Sequence, residues 1–366
     1  MKQVASFEIQ YRQYLNAQGE LVDTLPAFAD DPDVLRDLYR SMVLTRTFDK
    51  RAIALQRTGQ LGTYASSLGQ EATYTGLGYA MKTEDVLAPS YREHGTCFIR
   101  GVPMSDILLY WGGDERGMQF EKARHDFPVS VPIATHVLHA AGAAYAFKYR
   151  KEPRVAVAVC GDGATSKGDF YEAINVAGVW ELPCVFVVVN NQWAISVPRS
   201  KQSKAQTLAQ KAVAAGIPGE QVDGNDVIVV KDRIETAVNR ARDGGGPAVV
   251  EAVTYRWHDH TTADDASRYR SQGEVESEQK KDPIERLKHY LTAQGQWDEQ
   301  RDEQLSKECS NEVDAAVETY LNTPARPPET MFDNLYESLP STYQAQREEL
   351  KAKGQKKNQA KGGAGQ

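Results

Sequence analysis

The apolar positions of this chain fall into two kinds of run. Residues 155–160 (VAVAVC) and 184–189 (CVFVVV) are short, continuous and rich in β-branched side chains, the pattern of strands buried on both faces of a parallel sheet. Between them Phe170, Ile174, Ala177 and Trp180 recur at helical spacing, and Pro183 stops the helix before the second strand. Residues 155–191 therefore read as a strand–helix–strand unit. Upstream, Asp31-Pro32 reads as an N-cap with proline in the first helical turn. Leu35, Leu38, Tyr39 and Met42 follow at helical spacing towards Ile53 and Leu55, until Gly59 and Gly62 break the pattern. An Ala- and Gly-rich helix ends near Met81, a short strand starts at Val86, and a helix of small residues runs through Ala140, Ala141, Ala143 and Ala144. Downstream, a strand ends at 221–224, residues 226–242 form an amphipathic helix and 248–255 a strand, and Ile284, Leu287 and Leu291 mark one face of a late helix. Alternating strands and helices predict an α/β fold with a doubly wound, mainly parallel sheet, and a peripheral C-terminal helical layer. Residues 1–30 read as an irregular arm, 31–345 as the α/β domain with its helical end, and 346–366 as a disordered tail without acids or an apolar stripe in its last part.

The chemistry enters at the ends of the two central strands. In such a unit strand carboxyl ends face the ligand crevice, so Gly161-Asp162-Gly163 and Asn190-Asn191 should lie side by side at its mouth. A carboxylate and amide oxygens are hard donors of the kind Mg²⁺ takes, with phosphate and water completing its shell. The helix N-terminus after the turn favours an anion. A metal-bound diphosphate meets both demands. Two commoner phosphate motifs fail on the same letters: a dinucleotide fingerprint needs Gly or Ala where Ser166 stands, and a Walker loop needs Gly-Lys where Gly168-Asp169 stands. Either half alone is an ordinary turn or strand end; the two together, 26 residues apart, are far more specific.

Other candidates are weaker alone. Arg92, in Ser90-Tyr91-Arg92-Glu93-His94-Gly95, could offer forked donors to a phosphate, although surface loops carry such residues by chance. His136 reads first as a satisfied helix histidine. Residues 257–271 (WHDHTTADDASRYRS) combine histidines, hydroxyls, acids and arginines with few apolar anchors, as in a mobile active-site loop. Zinc at His258 and His260 is the rival reading, but no third ligand is apparent nearby. Composition narrows the field only a little. A net charge of -7 with no basic motif disfavours nucleic acid, and four scattered cysteines give neither a zinc site nor a disulfide framework. No apolar run approaches the roughly 20 residues of a membrane helix, and no signal segment opens the chain. The expected location is cytoplasmic, without membrane contact.

Taken together, the GDG to NN stretch, SYREHG, VTYRWHDHTTADDASRYRS and LGQE resemble the alpha subunit of the thiamin diphosphate-dependent decarboxylating component of 2-oxo acid dehydrogenase complexes. The resemblance covers most of residues 30–345 and implies the thiamin diphosphate-binding fold. It implies that Asp162, Asn191 and the main-chain carbonyl of Trp193 hold Mg²⁺, and that Tyr91 and Arg92 hold the diphosphate. Gly163 and Ala164 belong to the same cofactor turn, Ile133 lies near the thiazolium ring, and His260 contacts the cofactor and assists reductive acylation of a lipoyl group. It further implies an α2β2 assembly, in which the beta subunit supplies the activating glutamate and a lipoyl domain of the acyltransferase component accepts the acyl group. LGQE, GDG and the histidine of SYREHG favour pyruvate as the 2-oxo acid; the alternative is the same chemistry on branched-chain 2-oxo acids. A non-catalytic subunit of the same fold is disfavoured by the joint retention of Asp162, Asn191, Arg92 and His260. There are two departures from the pattern. Thr261 stands where mitochondrial relatives carry a regulatory serine, and His136 replaces the glutamine of a potassium site otherwise matched by Ser130, Pro132 and Thr135, which leaves K⁺ open.

Overall fold

The computed structural model describes residues 1–362 and divides into two compact units, residues 1–320 and the remainder from Leu321. The first unit is built on six parallel strands: β1 (Tyr11–Arg12), β2 (Val86–Ala88), β3 (Ala156–Gly161), β4 (Cys184–Asn190), β5 (Gly219–Asp223) and β6 (Ala248–Val253). Their order across the sheet is β1-β5-β6-β4-β3-β2. The expected parallel α/β sheet is present, with helices on both faces.

The continuous apolar runs of β3 and β4 are explained by what lies above and below them. Val157, Val159, Val185 and Val187 face one core, shared with α1 (Pro32–Arg57), α2 (Glu71–Ala80) and, further along the chain, the helix Val227–Arg242. Ala156, Ala158, Cys184 and Phe186 face the other, shared with α3 (Thr135–Arg150) and α4 (Gly168–Val179). Successive side chains of a strand point to opposite faces, so a strand covered on both sides has no position left for a polar residue. Helix α1 begins as its sequence predicts, with the Asp31 carboxylate accepting from the Asp33 amide and Pro32 in the first turn. Helix α5, the segment Val227–Arg242, is capped by Asp226, which also accepts the main-chain N–H groups of Tyr14 and Leu15.

That additional contact of Asp226 corrects the picture of an irregular arm. Residues 11–12 pair with Gln221 and Val222 as an edge strand, because Asp226 fixes the chain just beyond them. The late helices α6 (Pro283–Ala293) and α7 (Glu299–Asn322) bury Ile284, Leu287 and Leu291, and Leu305, Cys309, Val313 and Val317. In the second unit a short 3-10 turn, Pro328–Phe332, precedes a helix over Ser341–Gly362. Where composition predicts disorder from residue 346, the chain is helical through Gly362; Lys, Gln, Glu and Ala are good helix formers even without an apolar stripe. Residues 363–366 of that expected tail lie outside the described ones. No helix among the described residues is long and apolar enough to cross a membrane.

Candidate functional site

Pairing of Gly161 with Val189 places the ends of β3 and β4 level, so the GDG turn and the two asparagines emerge together. The GDG turn and Asn191 line a cleft of about 300 Å³ at the carboxyl edge of the sheet. The nine residues assigned to cofactor or cation from the sequence border it: Tyr91, Arg92, Ile133, Asp162, Gly163, Ala164, Asn191, Trp193 and His260. They come from five separate stretches of chain, which only the sheet brings together.

Asp162 opens a 3-10 turn over Asp162–Ser166 and is buried. Burial raises its pKa, opposed by a hydrogen bond from Gln202 and by main-chain N–H groups of the turn. The Gln202 amide donates from Nε2 to Asp162 Oδ2 (2.8 Å) and to the Val197 carbonyl (2.9 Å). Both partners are acceptors, so the amide is oriented, and its Oε1 is buried without a protein partner. Asn191 donates from Nδ2 to Gln70 (3.2 Å), which turns Oδ1 towards the Trp193 N–H (3.3 Å). Asn190, the first of the pair, instead bonds to the buried Glu251 (2.6 Å). The two asparagines therefore act differently, Asn190 tying strands together and Asn191 facing the cleft. Gly163 has no room for a side chain, since a Cβ there would stand 2.6 Å from that of Ala194. Two non-glycine residues with positive φ, Ala134 (67°) and Ile195 (54°), border the same cleft, and a third, Gln192 (72°), stands between Asn191 and Trp193, which do. For a β-branched residue such as Ile195 this conformation is costly, and such strain is characteristic of functional sites.

Oxygen donors dominate this end of the cleft: the Asp162 carboxylate, the Asn191 amide oxygen and the Trp193 carbonyl. One carboxylate with neutral oxygens suits a divalent cation that keeps water and phosphate ligands, so the residues fit Mg²⁺ with a diphosphate. Zinc fares worse. Among the described residues no group of three His, Cys, Asp or Glu side chains could hold a metal ion.

Across the cleft, Arg92 is buried and donates from Nη1 to the Ser66 carbonyl (2.7 Å) and from Nη2 to the His260 carbonyl (2.5 Å). Its Nη2 also lies 3.0 Å from His260 Nδ1, and Arg256 Nη1 lies 3.4 Å from the same atom. A guanidinium can only donate, so Nδ1 accepts and the imidazole proton sits on Nε2. Burial, with Arg92 and Arg256 beside it, lowers the His260 pKa to about 3. His260 is thus a neutral N–H donor at any physiological pH. Tyr91 stands edge-on to its ring at 6.1 Å. His136 lies at the start of α3 with Nε2 against the Val159 carbonyl (2.6 Å), but it also borders the cleft and its Nδ1 is buried without a protein partner, so the expected satisfied helix histidine is only half met.

The sequence reading missed Arg256 and Gln202. Arg256 is buried among main-chain carbonyls, donating to His258, Trp193 (3.3 Å) and Ile195 (2.9 Å), and to the Tyr269 hydroxyl. It ties the cation end of the cleft to the 257–271 segment. A charged residue directly after a buried strand was its one signal. Gln202 had none, since it reaches Asp162 across 40 residues. The 257–271 segment is well tied here: Arg270 donates to the carbonyls of Arg256, Trp257 and His258, and Tyr269 to Asp264.

Comparison with known proteins agrees with this geometry. A family model described as "Dehydrogenase E1 component" matches residues 39–329. A 3-methyl-2-oxobutanoate dehydrogenase subunit alpha from Mycobacterium tuberculosis is 48% identical over 269 residues, 73% of this chain and 73% of that protein. Pyruvate dehydrogenase E1 component subunits alpha from Staphylococcus epidermidis and Staphylococcus aureus are each 42% identical over 292 residues, 79% of this chain and 78% of theirs.

Proposed function

This chain belongs to the dehydrogenase E1 component family, as an alpha subunit of a 2-oxo acid dehydrogenase, and from that premise we propose that it holds thiamin diphosphate and Mg²⁺ for the oxidative decarboxylation of pyruvate and the reductive acetylation of a lipoyl group. The observation that carries this reading is the convergence of Asp162, Asn191, Tyr91, Arg92 and His260 on one cleft. When bound, thiamin diphosphate supplies the electron sink for decarboxylation. The protein's share is anchoring and orientation. Asp162, Asn191 and the Trp193 carbonyl hold the cation, while Tyr91 and Arg92 hold the diphosphate. Gly163 and Ala164 let the backbone of the turn come close, and Ile133 gives an apolar wall. His260, neutral and protonated on Nε2, donates towards the cofactor and the incoming lipoyl group. A potassium ion near Ser130 is not part of the proposal, because His136 stands where the matched pattern has a glutamine.

No carboxylic acid of this cleft is free to activate an aminopyrimidine: Asp162 is assigned to the cation, and Glu93 accepts from the Arg92 N–H (2.9 Å). That acid is expected from a beta subunit in an α2β2 assembly, and the acyl acceptor from a lipoyl domain of the acyltransferase component. LGQE supports the pyruvate reading, with Gln70 aligning Asn191 from behind. A second reading, branched-chain 2-oxo acids, is favoured by the higher identity to the 3-methyl-2-oxobutanoate enzyme's subunit. Apolar pockets distinguish substrates by only about 1–3 kcal/mol per methylene, and half of this pocket belongs to the partner. Co-expression with the cognate beta chain decides. We expect a higher kcat/KM for pyruvate than for 3-methyl-2-oxobutanoate; the reverse order would transfer the assignment to the branched-chain reading.

A further inference from the structure

We propose that Asp49, buried outside the cleft, is a positioning residue for His260 that acts through a rail of backbone over residues 64–69. The proposal rests on the reading above only for the role of His260. Segment 254–262 runs along this rail and is joined to it at three places. Tyr64 and Thr262 exchange two hydrogen bonds of 2.9 Å, the Tyr64 N–H to Thr262 Oγ1 and the Thr262 N–H to the Tyr64 carbonyl. The Trp257 N–H donates to the Leu68 carbonyl (3.3 Å), and the Thr254 hydroxyl to the Gly69 carbonyl (2.8 Å). His260 lies between the second and first of these ties. The approach is close enough to exclude a side chain: Gly69 has φ +88°, and a Cβ there would stand 2.6 Å from the Tyr255 carbonyl and 2.7 Å from the Trp257 ring. The rail also accepts Arg92 at the Ser66 carbonyl (2.7 Å). Both Arg92 and His260 thus take their position from it.

The rail is itself seated from below by one carboxylate. Asp49, on α1 and fully buried, accepts from the Tyr64 hydroxyl at Oδ1, and at Oδ2 from the Ser67 N–H (2.9 Å) and the Ser67 hydroxyl (2.5 Å). All three donors belong to the rail. Around them His94 stacks on the Tyr64 ring at 5.2 Å and reaches the Ala65 carbonyl (3.0 Å). Burying a carboxylate costs free energy that an apolar residue on α1 would not, unless its oxygens hold donors that must stay in place. A displacement of about 1 Å at a reacting group can cost about 100-fold in rate. The carboxylate therefore acts at a distance, by fixing the height of the rail.

The test uses the assembled holoenzyme at saturating thiamin diphosphate. Asp49→Asn keeps the shape but forces one of its contacts to reverse donor and acceptor, whereas Thr262→Val removes one of the bonds that tie the rail to the segment, the Tyr64 N–H to Thr262 Oγ1, and leaves the buried carboxylate untouched. Lipoyl-domain acetylation is compared with ferricyanide-coupled decarboxylation, which needs no lipoyl transfer, and hydrogen exchange is followed across 257–271. We expect acetylation to fall about 10-fold more than decarboxylation in both variants, with faster exchange in that segment. Equal losses in the two assays, or unchanged exchange, overturn the proposal; if Asp49→Asn fails to assemble, Tyr64→Phe, which removes the donor at Asp49 Oδ1 and keeps the carboxylate, decides by the same two assays and the same exchange measurement. Wild-type enzyme inactive on every 2-oxo acid would overturn the functional reading instead, and the exchange comparison would still judge the rail.

Discussion

The two walls of the cleft are held by different means. On one wall, Gly161–Ala164 and Asn190-Asn191 are continuations of buried strands, and the pairing of β3 with β4 sets their relative position directly. On the other, residues 257–271 follow the end of β6 and, apart from two main-chain bonds to Tyr64 and Leu68, are fixed by side chains: Arg256 and Arg270 to main-chain carbonyls, Tyr269 to Asp264, and Asp264 to the His260 N–H (2.9 Å). A ladder of strand hydrogen bonds is lost only with the sheet. A set of side-chain contacts can be dismantled one residue at a time, and gives way at lower cost than the core. The residues proposed to hold the cation thus sit on the rigid wall, and the group proposed to assist acyl transfer on the adjustable one.

The sharpest way to break this contrast is at the rigid wall. Asp162→Ala should reduce Mg²⁺-dependent binding of thiamin diphosphate to the assembled enzyme by about 100-fold or more, since a direct ligand outweighs the 10–100-fold of an outer-shell partner. Calorimetric titration measures this, and unchanged affinity would remove Asp162 from the cation site. Thermal stability of this variant should hold or rise, because a buried carboxylate is removed. Next comes the adjustable wall. Arg256→Met leaves buried carbonyls without donors and should destabilise the protein by about 2 kcal/mol or more, with proteolysis at 257–271 accelerated before any global change. Protection equal to wild type would show that the remaining ties hold the segment without Arg256.

His260→Ala should lower lipoyl acylation by at least about 10-fold while leaving cofactor affinity within about 3-fold, in keeping with a hydrogen-bonding role in the transition state. Equal acylation rates in mutant and wild type would exclude His260. The smallest effect is in pH dependence. The folded pKa of His260, lowered to about 3 by burial and its two arginine neighbours, lies below the value near 6.5 of an unfolded chain. The unfolded state therefore takes up a proton first as pH falls. Stability relative to a His260→Asn variant should be level above pH 7 and decline progressively below about 6.5. Denaturation at pH 7 and pH 5 measures the difference, and a wild type that gains on the variant at pH 5 would mean that the imidazole is charged in the fold.

Much of the rigid wall was legible in the letters. Runs such as VAVAVC and CVFVVV admit few readings, because period, length and branching all specify a doubly covered strand. With the strands fixed, the turn residues follow at their carboxyl ends, and the nine site residues chosen from the sequence do border one cleft. The arm and the tail were less legible. Nothing local in Tyr11-Arg12 declares an edge strand; the partner that fixes it, Asp226, lies more than 200 residues away. Gln202 and Arg256 escaped for the same reason, since each acts on chain that is distant in sequence, and Asp49 because its partners lie beyond the end of its own helix.

What the sequence determined by itself was the set of elements and the chemistry at the strand ends, for both depend on neighbours within a few residues: hydrophobic period, capping, and the donor atoms of a turn. The tertiary structure decided which groups are oriented and which are charged. The proton on His260 Nε2, the turned amide of Gln202, and the seating of residues 64–69 by Asp49 all depend on burial and on partners outside the local element. Hydrogen-bond direction and desolvation belong to the assembled fold, and no single stretch of sequence carries them.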